Sequence, residues 1–198
     1  MKSISLLTSW VDLDILIANP NIKLENFIPT DDRIHFIATA NDHGLNASAF
    51  LIRVHPWSLN FISRALAYQY YHKNKYLKYA DQTSMNNILV KNKKEKVHFV
   101  IVPENWFNTP PDKRHSGDML LHFADSKDKN KDSHDIRMKL RNDPDYLTAK
   151  TNAEQRKEVL EYYALPKEEQ QKLVYIEYYS TKQKIINFFK DLFHFKHD

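Results

Sequence analysis

The chain has 198 residues, of which 42% are hydrophobic and 13% aromatic, so we expect a packed globular domain and not a disordered chain. It contains two glycines and no cysteine, which argues against glycine-rich phosphate loops and excludes disulfides, thiolate metal sites and cysteine nucleophiles. Its net charge of +4 is mild and mixed, so no nucleic-acid partner is expected. Since no apolar run approaches the roughly 18 residues that span a bilayer, we expect no transmembrane helix in this chain.

The first half of the chain alternates apolar runs with polar turns. Residues 9–20 (SWVDLDILIANP) predict a central buried strand that ends in a turn. Arg33–Ala40 predicts a second strand and Ala49–Val54 a third. Apolar residues at helical spacing after Ser58 predict a helix with that serine as its N-cap.

The second half continues this alternation and then changes in composition. Asp81–Leu89 predicts a further helix, and Val97–Val102 and Met119–Phe123 predict two short strands. The last part of the chain is rich in Glu, Lys, Gln and Tyr at helical spacing. We therefore interpret residues 1–150 as an α/β domain and residues 151–198 as a helical C-terminal extension.

Two carboxylates lie one residue apart in the first predicted strand. Alternate residues of a strand point to the same side, so Asp12 and Asp14 can share a divalent cation through their oxygens. A solvated polar strand end shows the same pattern, so the pair alone leaves both interpretations open.

Five blocks follow one another along the chain: WVDLDILIANPNIKLENFIP, HGLNASAFLIRVHPWSLNFI, ADQTSMNNIL, WFNT and HSGDMLLHFADSK. In order and wording they closely resemble glycosyltransferase family 34, which includes fungal α-1,6-mannosyltransferases, α-1,2-galactosyltransferases and plant xyloglucan xylosyltransferases. The resemblance extends from Trp10 to Arg141. It implies a GT-A fold, in which a Rossmann-like α/β sheet binds a nucleotide sugar and Mn²⁺ bridges the enzyme and the diphosphate.

The resemblance implies a metal site of three residues. Asp12 and Asp14 match the DxD motif of the family, and His122 matches the histidine that completes the metal site. Without the resemblance, His122 is typical of a core histidine. A neutral imidazole beside two carboxylates suits Mn²⁺, which stabilises the departing diphosphate as the glycosidic bond breaks.

Further matches imply contacts with the donor. Lys127 matches a lysine placed for the diphosphate, and Asp81 and Gln82 match an acidic-Gln pair near the sugar, where we expect the catalytic residues. Asn46 matches a polar residue of the donor or acceptor pocket, and Asp118 belongs to the block before the metal histidine. Without the resemblance, Lys127 is a solvated charge, Asp81 a helix N-cap and Asn46 a turn residue. The family transfers its sugar with retention, and no nucleophile can be assigned.

The sequence departs from the family pattern in the pocket and at the N-terminus. Ser48 stands where the family usually has glycine, and Asp125 and Ser126 replace a Gly-Cys pair. Asp125 adds a negative charge near the expected diphosphate. Family members carry a transmembrane helix, a stem and the first nucleotide-binding βα units before the DxD strand, so we expect a GT-A domain that is incomplete at the N-terminus.

The C-terminal segment 183–197 places apolar residues among lysines and predicts an amphipathic basic helix. Such a helix either contacts an anionic membrane or a partner, or packs on its own domain.

Together these patterns predict a hexosyltransferase that moves mannose or galactose from GDP-mannose or UDP-galactose to a glycan acceptor in the Golgi. The alternative is a catalytically impaired, truncated paralogue that binds sister glycosyltransferase subunits. A weaker alternative is a basic module at anionic surfaces. The Golgi location follows the resemblance, whereas a truly truncated chain would be cytoplasmic.

Overall fold

A mixed four-stranded sheet forms the centre of the computed structural model, which describes residues 6–73, 75–145 and 149–176. The strands lie in the order β1 (Leu7–Val11), β4 (Gly44–Arg53), β3 (Phe36–Asn41) and β5 (Phe99–Val102). β4 is antiparallel to β1 and β3, whereas β3 and β5 are parallel. A second, small sheet pairs β2 (Ile15–Ile17) with β6 (Leu120–His122) in antiparallel fashion.

Five α-helices are described, and β4, β5 and β6 each lead into one of them. The helices are α1 (Pro56–Tyr71), α2 (Ala80–Lys91), α3 (Glu104–Phe107), α4 (Lys129–Asn142) and α5 (Asn152–Tyr163). Short 3-10 turns cover Leu24–Phe27, Lys93–Val97, Pro111–Lys113 and Glu169–Gln171. None of the described helices is long and apolar enough to cross a membrane.

Two apolar layers cover the two faces of the large sheet. Ile37 and Leu51 belong to the layer that contains Phe27 and Trp106, whereas Phe36 belongs to the layer under α1 and α2. Successive residues of a strand point to opposite faces, so neighbours in β3 enter different layers. Because both faces are buried, β3 and β5 are nearly continuous apolar runs in the sequence.

Helix α5 packs against the same core. Val159 is fully buried in the layer around Phe27. The hydroxyl of Tyr162 donates to the carbonyl of Ile101 at 2.5 Å, and that of Tyr163 donates to the carbonyl of Phe27 at 2.6 Å. The helix begins at a capping box, in which Thr151 and Glu154 bond each other's backbone amides. A helix thus lies within the segment 151–198, and the division of the chain into a domain and a helical extension at residue 150 stays a prediction.

The α/β class is confirmed, but residues 9–20 do not form one central strand. They form β1, at an edge of the large sheet, and β2, in the small sheet. The chain changes sheets over residues 12–14, where the amide of Asp12 donates to the carbonyl of Ser48 in β4 and the carbonyl of Asp14 accepts from the amide of Phe123. A polar pair within an apolar run therefore marks a turn.

Two predicted helix caps are also wrong. Helix α1 begins at Pro56, and the Nδ1 atom of His55 accepts the amide of Trp57 at 3.1 Å, so His55 is the N-cap and Ser58 lies inside the first turn. Asp81 is the second residue of α2, not its cap. The predicted amphipathic segment 183–197 lies outside the described residues.

Candidate metal centre

The side chains of Asp12, Asp14 and His122 meet where the two sheets join. Each offers one ligand atom, and these atoms all lie within 4.8 Å of one another. The register of the small sheet pairs Ile15 with His122, which places the residue before Ile15 beside the imidazole. The Nε2 atom of His122 lies 3.4 Å from Oδ1 of Asp14. Strand pairing therefore brings together residues that are far apart in sequence.

Neighbouring groups orient two of these ligands. The indole N–H of Trp10 donates to Oδ1 of Asp12 at 2.9 Å. The Nδ1 atom of His122 lies 2.5 Å from Oδ1 of Asn108, and His122 is buried. Such outer partners fix the orientation of a ligand before a metal arrives.

Lys129 contacts Asp14, the remaining residue of the three. Its ammonium lies 2.6 Å from Oδ2 of Asp14. Partial burial would raise the pKa of Asp14, but the hydrogen bond from Lys129 and the nearby imidazole of His122 outweigh it and lower that pKa below its usual value. Asp14 is therefore ionised at neutral pH.

A bulge in β4 supports the backbone of Asp12. The pairing of β3 with β4 shifts between Ala38 and Thr39, so residues 47–49 have no partner in β3. The side chain of Gln82 accepts the amide of Ala47 at 3.3 Å, and that of Asn46 accepts the amide of Ser48 at 2.9 Å. The carbonyl of Ser48 in turn accepts the amide of Asp12 at 2.8 Å. Bulges commonly redirect side chains next to functional sites.

A cavity of about 720 Å³ opens beside His122. Its volume is that of a site for a small organic ligand. Asn46 and Asn108 line it together with Asp125 and Ser126. The wall of the cavity also carries the cations of Lys113, Arg114 and Lys139, so it offers charged groups of both signs beside amides and a hydroxyl, which suit a polar ligand with many hydroxyl groups.

A family model described as the galactosyl transferase GMA12/MNN10 family matches residues 26–133, which is more than half of the chain. The chain belongs to this family. The match includes His122 and all the expected donor residues, whereas Asp12 and Asp14 precede it. No curated protein and no solved structure matches the chain. The predicted family is thereby confirmed, and the chain is a glycosyltransferase by family.

The structure of this galactosyl transferase family member does not bring the expected donor residues together at one point. Gln82 and Asn46 support the bulge behind Asp12. Asp81 is exposed in the first turn of α2, and Lys127 is exposed in the loop before α4. Within the part of the chain that the structure describes, neither side chain makes a hydrogen bond or an ion pair.

Asp118 bonds within its own loop. The carboxylate of Asp118 accepts a hydrogen bond from the backbone amide of His115 at 2.7 Å. Burial raises the pKa of the Asp118 carboxyl group. The preceding Gly117 has a φ of +82°, which favours glycine, and its carbonyl accepts the side chain of Asn19 at 3.1 Å. In the described structure the Asp118 carboxylate therefore closes a turn, and it makes no contact with the three ligands.

The sequence interpretation assigned no role to Trp10, Asn108 and Lys129. Asn108 lies in the WFNT block, but its partner His122 is distant in sequence, so spacing gives no signal for their contact. Lys129 belongs to a run of charged residues, where only the start of α4 decides which lysine faces Asp14.

Proposed function

We propose that the chain provides the metal and donor site of a GT-A glycosyltransferase, which transfers mannose or galactose from a nucleotide sugar to a glycan with Mn²⁺ and with retention. The observation that carries the proposal is the meeting of Asp12, Asp14 and His122 beside a cavity of about 720 Å³. By the same family resemblance we propose the Golgi as its location.

The three ligands fit the proposed metal. Two carboxylate oxygens and one imidazole nitrogen are a donor set for a borderline divalent cation such as Mn²⁺. When bound, Mn²⁺ would supply positive charge to the diphosphate oxygens as the glycosidic bond breaks. The chain contributes an ionised Asp14 and an Asp12 already held by the N–H of Trp10.

The cavity supports the sugar part of the proposal. The amide of Asn46 and the hydroxyl of Ser126 offer donors and acceptors for sugar hydroxyl groups. Asp125, on the same wall, brings a negative charge that opposes a diphosphate. We therefore propose that the diphosphate lies on the side of the three ligands and of Lys129, away from Asp125.

Calorimetric titration of the folded chain tests the proposal. We expect GDP-mannose or UDP-galactose to bind only when Mn²⁺ is present, and Asp14→Asn to weaken Mn²⁺ binding at least tenfold. The matched control is Asp42→Asn, which removes the same charge from an exposed turn. Equal Mn²⁺ affinity in both variants, or nucleotide-sugar binding that ignores Mn²⁺, would contradict the proposed centre.

A second candidate function is a non-catalytic subunit of a glycosyltransferase complex. Among the described residues, β1 is an edge strand of the large sheet in which Trp10 is 55% and Val11 43% exposed, and an edge strand can pair with a strand from another chain, which favours this function. Release of nucleoside diphosphate during sugar transfer separates the two functions. Turnover that Asp14→Asn abolishes supports the enzyme, whereas donor binding without turnover supports the subunit.

A further inference from the structure

Asn108 lies directly behind the metal-facing histidine. It is buried, with 5% of its surface exposed, and it follows the last residue of α3. Its Oδ1 atom lies 2.5 Å from Nδ1 of His122, and its Nδ2 atom donates to Oε1 of Glu104 at 3.0 Å. The amide therefore links a carboxylate to an imidazole.

These two contacts fix which atom of Asn108 faces the ring. The carboxylate of Glu104 can only accept a hydrogen bond, so the NH₂ group must face it and the amide oxygen must face His122. An amide oxygen also only accepts, so Nδ1 of His122 carries a proton. In a neutral imidazole the lone pair is then on Nε2, the nitrogen that lies 3.4 Å from Asp14.

The backbone holds the same geometry. The amide of His122 donates to the carbonyl of Thr109 at 2.8 Å, and Thr109 forms a parallel bridge with Leu121. The amide of Asn108 donates to the carbonyl of Glu104 at 2.8 Å. Asn108 is thus fixed through its backbone, through Glu104 and through the neighbour that follows it.

We propose that Asn108, oriented by Glu104, is a positioning residue that keeps His122 protonated on Nδ1, so that Nε2 is free to bind the metal. This inference rests on the proposed metal centre. It explains why a buried amide and a carboxylate lie behind His122.

Two measurements test the inference on the whole chain. In the metal-free protein, long-range ¹H–¹⁵N NMR of His122 is expected to show a proton on Nδ1, and Asn108→Ala is expected to shift the ring towards the Nε2-protonated form. Calorimetry with Mn²⁺ alone is expected to show an affinity 10- to 100-fold lower in Asn108→Ala, the usual effect of losing an outer partner of a ligand.

Controls separate positioning from a loss of structure. Asn60→Ala, on the exposed face of α1, should change neither measurement. The double variant Asn108→Asp with Glu104→Gln reverses the donor and acceptor between the two side chains but keeps an oxygen facing Nδ1. It should restore the Nδ1 proton and most of the Mn²⁺ affinity.

The outcomes distinguish this inference from the proposed function. If the wild-type chain binds Mn²⁺ and Asn108→Ala changes neither the tautomer nor the affinity, the inference fails and the metal centre stands. If the wild-type chain binds no Mn²⁺, the proposed centre fails and the metal-directed role of Asn108 fails with it.

Discussion

Replacing Lys129 by methionine is expected to strengthen the binding of Mn²⁺ to the chain in the absence of nucleotide. The ammonium of Lys129 lies 2.6 Å from Oδ2 of Asp14, so a cation that binds Asp14 must share it with an existing positive charge or displace that charge. Methionine keeps most of the side-chain volume and removes the charge. The carboxylate of Asp14 is then free for the metal.

The size of this effect follows from the distance and the exposure. Two unit charges 4 Å apart interact by about 1 kcal/mol in water and about 4 kcal/mol near a protein surface. The side chain of Lys129 is 46% exposed, so solvent screens it and it can move away from an incoming cation. We expect a gain of about 1–2 kcal/mol, or roughly tenfold in Kd.

Calorimetric titration with MnCl₂ at low and high salt measures this gain. The gain should shrink as salt rises, because screening weakens the repulsion between the two cations. The control is Lys131→Met on the same helix, where the ammonium pairs with Asp135 at 2.7 Å. Lower affinity in Lys129→Met than in the wild type would refute the reasoning and show that Lys129 prepares Asp14 for the metal.

Three stability measurements follow from other parts of the structure. Gly117→Ala should lower the free energy of unfolding by at least about 2 kcal/mol in urea, because φ is +82° and the new Cβ would lie 2.7 Å from the amide nitrogen of Lys150. Burial and neighbouring imidazoles lower the pKa of His35 to about 4 from 6.5, so only the unfolded chain takes up this proton between those values. Stability should fall by at most about 3 kcal/mol as pH drops through that window. His35→Phe should lose this dependence, and an unchanged pH profile would contradict the assignment. Arg156→Met should cost about 1–3 kcal/mol in thermal or urea unfolding, because its guanidinium donates to two carbonyls of the turn near Phe27.

Local apolar pattern was enough to predict several elements. β5 and α2 lie within or close to the predicted ranges, since a continuous valine and isoleucine run or a helical period is a property of a few adjacent residues. The start of α1 was misplaced because serine is a common cap, although Pro56 marks the first helical position. The break between β1 and β2 coincides with the polar pair Asp12 and Asp14, but the partners that separate the two strands, Ser48 for Asp12 and Phe123 for Asp14, are distant in sequence.

Part of the candidate site was likewise predictable from the sequence, and part of it depends on tertiary contacts. Asp12, Asp14 and His122 were found through matched motifs, and the structure places their ligand atoms together. Lys127 stays a prediction for the diphosphate, and the structure places the neighbouring Lys129 against Asp14, at the start of α4 after the Asp128 cap. Tertiary contacts decide which side chains of a charged run face the rest of the protein. Composition alone therefore could not predict that Lys129 contacts Asp14.

The candidate site exists only in the folded chain, because the pairing of β2 with β6 assembles it. Asp14 and His122 are neighbours in space but lie on the order of a hundred residues apart in the chain, so their meeting closes a long loop at an entropic cost. A cation bound by both residues binds the folded chain and not the unfolded one, and it stabilises the fold by mass action. During synthesis, the three ligands cannot bind one ion until β6 has left the ribosome and paired with β2.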